Sequence, residues 1–163
     1  LDKMPYAPVA VVGLAIKRKY FKNQPDGFGY LIPSGEGKDV LGVLLESNVF
    51  PYRGQGDQVM LRVMLGGAHH PAIINDTPEQ IQAKAIKEVD TIYGLKQMPL
   101  LTFVKSWPRA IPQYDMNYPH VRQAITNALF QTPHIKLCAN YLDGISFNDC
   151  INNAKSIAGA ISI

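Results

Sequence analysis

This chain holds only two cysteines and one tryptophan, and charged residues make up 18% of it. Each scarcity excludes something. Cys138 and Cys150 both stand in apolar surroundings and are too few for a disulfide scaffold, so they read as reduced, structural cysteines of a cytoplasmic protein. A net charge of +3, with one short basic cluster at Lys17-Arg18-Lys19, gives no footprint for nucleic acid. No apolar run reaches the roughly 18 residues of a membrane span, and no signal-peptide pattern stands at the start. Three glycine pairs, Gly27-Phe28-Gly29, Gly35-Glu36-Gly37 and Gly54-Gln55-Gly56, all stop before the third glycine of a dinucleotide fingerprint. The chain encodes no complete nucleotide site.

What is there is a globular composition, 47% hydrophobic over 163 residues, long enough to bury a core. Val9 to Tyr20, Phe28 to Ile32, Val40 to Ser47 and Val59 to Leu65 read as successive strands separated by turn clusters, which favours antiparallel neighbours. Thr77-Pro78-Glu79-Gln80 opens a helix: threonine cap, proline first, glutamine closing a capping box. Ile81, Ala85, Val89 and Ile92 form its inward stripe, and Gly94 stops it.

Leu100 to Val104 is a fifth strand. Two prolines make the stretch from Ser106 to Tyr114 an extended, non-helical connection. Pro119 opens a second helix, with Val121, Ala124, Ile125, Ala128 and Leu129 inward. Ile135 to Ala139 reads as a short buried strand, and Gly144 as a tight turn. Ser146 or Asn148 then caps a last helix whose apolar face is Ile151, Ala154, Ile157, Ala158 and Ile161. The pattern predicts α+β architecture: a mixed, largely antiparallel sheet of about five strands with flanking helices.

Chemistry-bearing residues are sparse. His69-His70 lacks a third metal ligand at a recognisable spacing and reads as a polar loop. Glu46, Arg53 and Asp57 can form ion pairs without catalysis. Cys150 has no histidine at a telling spacing, so no catalytic residue is assigned. The start of the last helix presents free N–H groups and partial positive charge, which suits an anion or an electron-rich carbonyl.

Taken in order, several segments resemble the C-terminal portion of the oxygen-dependent protoporphyrinogen oxidase family, within the flavin-containing amine oxidase superfamily. They are Gly29-Tyr30-Leu31-Ile32-Pro33, Leu41-Gly42, Ser47-Asn48-Val49-Phe50-Pro51-Tyr52-Arg53 and Met64-Leu65-Gly66-Gly67-Ala68. Trp107-Pro108-Arg109-Ala110-Ile111-Pro112-Gln113-Tyr114 and Gly144-Ile145-Ser146-Phe147-Asn148-Asp149-Cys150 complete the set. Ala139, where the family often has glycine, and His69-His70 depart from the pattern.

The resemblance implies residues 1–115 as a substrate-domain portion, and 116–163 as a helix plus a returning strand–helix of an FAD-binding domain. The FAD fingerprint would lie in an N-terminal Rossmann half, absent here. That absence, and the opening on Leu1-Asp2-Lys3 without methionine, suggests a fragment of a longer protein, inactive and weak in FAD binding when isolated. Gly144, Ile145 and Ser146 match the family's flavin-contacting turn, and Trp107 falls near another contact. Substrates would be a porphyrinogen, proto- or copro-, and oxygen.

Such a reaction needs a positioned flavin and a dry cavity more than ionisable groups. Leu41 and Val43 fit either that cavity or an ordinary core. A cytoplasmic location, with peripheral membrane attachment of the parent, and self-association of the fragment are further expectations. Another amine oxidase or desaturase-type enzyme, or a stand-alone α+β binding module, are the competing expectations.

Overall fold

A computed structural model describes residues 4–161. They fall into two compact units: Ala7–Ala110, and Ile111 onward together with the described residues before Ala7. The first unit is built on a sheet. Its strands are β1 (Tyr6–Lys17), β2 (Gly29–Leu31), β3 (Val40–Leu45), β4 (Gln58–Gly66) and β5 (Leu101–Pro112), in the order β2-β3-β4-β1-β5, with the first residue of β1 and the last two of β5 falling outside the unit's bounds. A one-turn helix α1 (Glu46–Val49) links β3 to β4, and α2 (Pro78–Tyr93) packs on one face. The β1–β4, β2–β3 and β3–β4 pairs are all antiparallel, so the expected parallel component is not found among them.

Register explains the core. Val12 lies opposite Val63 and Leu14 opposite Leu61, while Val43 and Leu45 of β3 meet the same two β4 residues. Period-two alternation therefore puts this whole apolar set on one face, where it is buried with Ile81, Ala85 and Val89 of α2. Val43 is thus a core residue rather than a cavity wall.

The capping box of α2 forms as its sequence predicts. Thr77 Oγ1 accepts from Gln80 N–H at 3.3 Å, and Gln80 Oε1 accepts from Thr77 N–H at 2.8 Å. Gly94, at φ 64°, closes the helix. Ile92 is exposed, however, and the stripe ends on Tyr93. A row stepping by four from Ile81 arrives there instead.

The connection expected after Val104 is also strand: β5 continues through Pro108 to Pro112. Proline is tolerated because, among the described residues, β5 is an edge with β1 as its one neighbour.

Tyr30 packs against Tyr93 with its hydroxyl buried and, among the described residues, without a hydrogen-bond partner. Burial first, then the Glu88 carboxylate and Tyr93, raises its pKa above the ordinary tyrosine value. That raised pKa favours folding fully below the unfolded value of about 10. The contribution is lost as pH climbs through the folded-state value. Tyr30→Phe is expected to stabilise by about 1 kcal/mol at pH 7, since no desolvated hydroxyl remains. It should also flatten the stability loss above pH 10. Urea unfolding at pH 7 and at alkaline pH measures both effects, and a destabilised variant would contradict them.

The second unit carries α3 (Tyr118–Phe130) and α4 (Phe147–Gly159). Between them Ile135 to Ala139 forms no strand, and Ile135 is exposed. A strand requires a neighbouring edge to bond. Among the described residues this segment has local turns on either side, Ile135 N–H to Thr132 O and Leu142 N–H to Ala139 O, and no paired strand. The expected inward stripes are likewise mostly uncovered. On α3 only Val121 is buried, Ala124 and Ala128 being exposed, and α4 buries no residue. Ile151, Ala154, Ala158 and Ile161 are at most partly covered, and Ile157 is half-buried. Amphipathic period marks a face to be covered, not one that is.

Candidate functional site

In the second unit, side chains hold the carbonyls of one turn. Tyr114 and Tyr118, stacked with ring centroids 4.3 Å apart, donate their hydroxyls to Asn140 O, at 2.8 Å, and to Leu142 O. Asn153 of α4 donates to Asp143 O at 3.1 Å, and the Cys150 thiol lies 3.8 Å from Gly144 O. Arg122 of α3 pairs with the Asp143 carboxylate at 2.7 Å. The turn from Asn140 to Gly144 is therefore fixed from α3, α4 and the segment before α3.

That fixing sets the start of α4. Of the two candidate caps, Ser146 is the one used: its Oγ accepts from Asp149 N–H at 3.1 Å and donates to Asp149 Oδ2 at 2.6 Å. The first N–H groups of a helix have no partner within it, so the Phe147 and Asn148 amides and the helix dipole remain for an electron-rich group. Gly144 has φ 134°. Ile145 is exposed beside it. Three of the predicted site residues, Gly144, Ile145 and Ser146, thus stand together between that anchored turn and the start of α4.

Trp107 belongs to the sheet unit. It is half-exposed on β5, with Lys105 Nζ 6.0 Å from its ring centre. Lys105 and Trp107 stand two apart, hence on one side of the strand. That side is the sheet face opposite α2. A Cβ built on Gly13 would meet Phe103 Cβ at 3.8 Å, which puts Phe103 there too. Met60, Arg62 and Met64 of β4 share the face with Leu44 and Leu31. Leu31, Leu101 and Phe103 are all well exposed. The result is a broad apolar surface interrupted by few charges.

Sequence reasoning missed this face. The signal was the Met60-Arg62-Met64 set alternating with the core residues of β4. It also named Glu46 with Arg53 and Asp57 as an ion cluster. The pair with Arg53 forms, but Glu46 is buried rather than on the surface, and its second partner among the described residues is Arg62, which that cluster did not include. The Glu46 contact comes first among the causes that raise the Arg53 pKa. His69 is exposed in its loop, and His70 Nδ1 lies 3.7 Å from Asp39 Oδ1. Lys84 bridges Asp39 and Asp76 at 2.6 Å each. No helix among the described residues is long and apolar enough to cross a membrane.

Similarity to known proteins runs the length of the chain. The sequence pattern of the family described as flavin containing amine oxidoreductase matches residues 1–162. Protoporphyrinogen oxidase of Dictyostelium discoideum is 26% identical over 100% of this chain and 36% of its own length. Protoporphyrinogen oxidase of Homo sapiens is 31% identical over 99% of this chain and 35% of its own. The chain spans about a third of the length of these curated relatives. Among solved structures, a candidate protoporphyrinogen oxidase from Exiguobacterium sp. 255-15 has a TM-score of 0.79 at 18% identity. It aligns with 98% of this chain and 35% of its own, which establishes the common fold.

Proposed function

Because the chain belongs to the flavin-containing amine oxidoreductase family, we propose that it is the C-terminal part of an FAD-dependent oxidase. That enzyme converts a porphyrinogen, protoporphyrinogen IX or coproporphyrinogen III, to the porphyrin, with oxygen as acceptor. The observation that carries this reading is the end-to-end match to curated protoporphyrinogen oxidases, which leaves no segment of the chain unaccounted for.

The described residues fit a flavin in their donor set. Gly144, Ile145, Ser146 and the first amides of α4 would hold the ring edge; for Trp107, in the sheet unit, a flavin contact rests on the family resemblance alone. When bound, the flavin supplies hydride acceptance and electron transfer to oxygen. Amides at a helix start favour a group that gains negative charge, without any cationic side chain. The Asn140–Gly144 anchoring by Tyr114, Tyr118 and Asn153 keeps those amides in place before any ligand arrives, which lowers the ordering cost of binding.

The open sheet face supplies the other requirement. A porphyrinogen is a large, mostly apolar macrocycle, and Leu44, Met60, Met64 and Phe103 offer it an apolar floor that excludes water. In this reading the sheet belongs to the substrate-domain portion, 1–115, and the turn before α4 to the FAD-binding portion, 116–163. The uncovered stripes of α3 and α4 would pack on the N-terminal Rossmann half of the same protein.

The test uses the full protein. It should purify with flavin absorbance and turn a colourless porphyrinogen into a fluorescent porphyrin while consuming oxygen. A flavin-free protein, or one that oxidises amines and leaves porphyrinogens untouched, would refute the proposal.

A further inference from the structure

One charged cluster stands at the open face of the sheet and holds two cations against one anion. Arg62 lies on β4 opposite Gly13 of β1 and Leu44 of β3, between Met60 and Met64. Its guanidinium reaches Glu46 Oε1, and Arg53 reaches Glu46 Oε2. The Glu46 side chain is only 10% exposed, against 44% for Arg53 and 41% for Arg62. Each carboxylate oxygen already has its own arginine.

Arg62 ties β4 to α1 through Glu46, while Arg53, in the link between them, adds a second guanidinium that also lies over the Phe50 ring, 4.5 Å from its centre. The second leaves one unit of positive charge that Glu46 does not neutralise. Each guanidinium carries five N–H donors and only one nitrogen of each contacts Glu46. Two guanidinium groups held by a common carboxylate, half-open to solvent and bordered by apolar side chains, make a place for a second carboxylate. Charge-assisted bonds from arginine are roughly twice as strong as neutral ones, and a nearby low-dielectric surface strengthens them further.

We propose that Arg62, with Arg53 beside it, anchors a side-chain carboxylate of the porphyrinogen and so selects acidic porphyrinogens over uncharged ones. The inference rests on the porphyrinogen reading above and adds the residue that recognises the ligand's charge. The apolar floor takes the macrocycle, whereas the Arg62–Arg53 pair fixes its rotation by gripping one carboxylate. Arg62 acts in binding and takes no part in the redox step.

The experiment compares protoporphyrinogen with its dimethyl ester in the full protein, for the natural sequence and for Arg62→Gln. Glutamine keeps a donor for Glu46 and removes the charge. The natural protein should prefer the acid over the ester in kcat/KM by about tenfold, the scale of one charge-assisted contact. In Arg62→Gln that preference should collapse toward one, chiefly through a higher KM for the acid. Titration of porphyrin product by fluorescence should show the same loss of affinity for the acid form alone. Equal losses on acid and ester, or no change on the acid, would overturn the proposal.

Flavin content and circular dichroism check that the variant is folded. If Arg62→Gln fails there, Arg53→Gln must show the same acid-specific loss, and an equal loss on both substrates sinks the idea. Failure of the natural protein to oxidise either compound would instead defeat the porphyrinogen reading itself.

Discussion

Phe21→Ala is expected to lower the stability of the sheet unit by about 3–5 kcal/mol, the usual cost of removing a large aromatic from a core. Phe21 is fully buried and heads the largest side chains of the core. Its ring meets Tyr93 edge-on, with centroids 5.9 Å apart and planes at 83°, an arrangement that adds to the area term. The site has little freedom to collapse. Phe21 is pinned by a bridge to Leu95, its neighbour Lys22 donates to Gly94 O at 2.8 Å, and Arg18 donates to Asp57 O at 2.8 Å. One residue thus joins the exit of β1 to the end of α2. Denaturant unfolding followed by circular dichroism measures the loss. A change below about 1 kcal/mol would mean that the cavity closes, and that this junction is not where the unit is organised.

The junction also shows what the sequence could reveal. Elements whose signals are local were legible. Thr77, Pro78, Gln80 and Gly94 mark both ends of α2, and the capping box forms as written. Val59, Leu61, Val63 and Leu65 alternate and are all buried. Features that depend on a distant neighbour were not legible. Pro108 argues against an interior strand but says nothing about an edge, and only the sheet order places it on one. Ile135 to Ala139 alternate like a strand, yet an alternating segment without an edge to bond stays a turn-flanked stretch. The stripe of α4 has the same period whether or not anything lies over it.

The candidate site divides in the same way. Gly144 and Ser146 were readable as a turn and a cap because glycine and serine have local reasons to stand there. Arg62 was not, because a polar residue alternating with core residues looks like any solvent-facing position. Its partnership with Glu46 depends on cross-strand register. So does its place between Gly13 and Leu44.

Gly144→Ala is expected to remove about 2–4 kcal/mol from the local stability of the turn, and with it the flavin content of the full protein. At φ 134° an L side chain is strained by about 1–3 kcal/mol. A Cβ there would also lie 2.6 Å from Asp149 Cβ and 2.7 Å from its Cγ. Asp149 cannot move freely, since its amide and carboxylate are the two partners of Ser146 Oγ. Pushing Asp149 aside therefore unseats the helix cap, a further loss of about 1 kcal/mol. Gly35→Ala separates the two causes: φ is 102° there, but nothing lies within 4 Å of a built Cβ. Gly35→Ala should show backbone strain alone and keep its flavin, whereas Gly144→Ala should lose more stability and the flavin as well. Flavin absorbance per protein and thermal unfolding of the two variants decide it. Equal flavin content in both would show that the turn before α4 does not hold the ring.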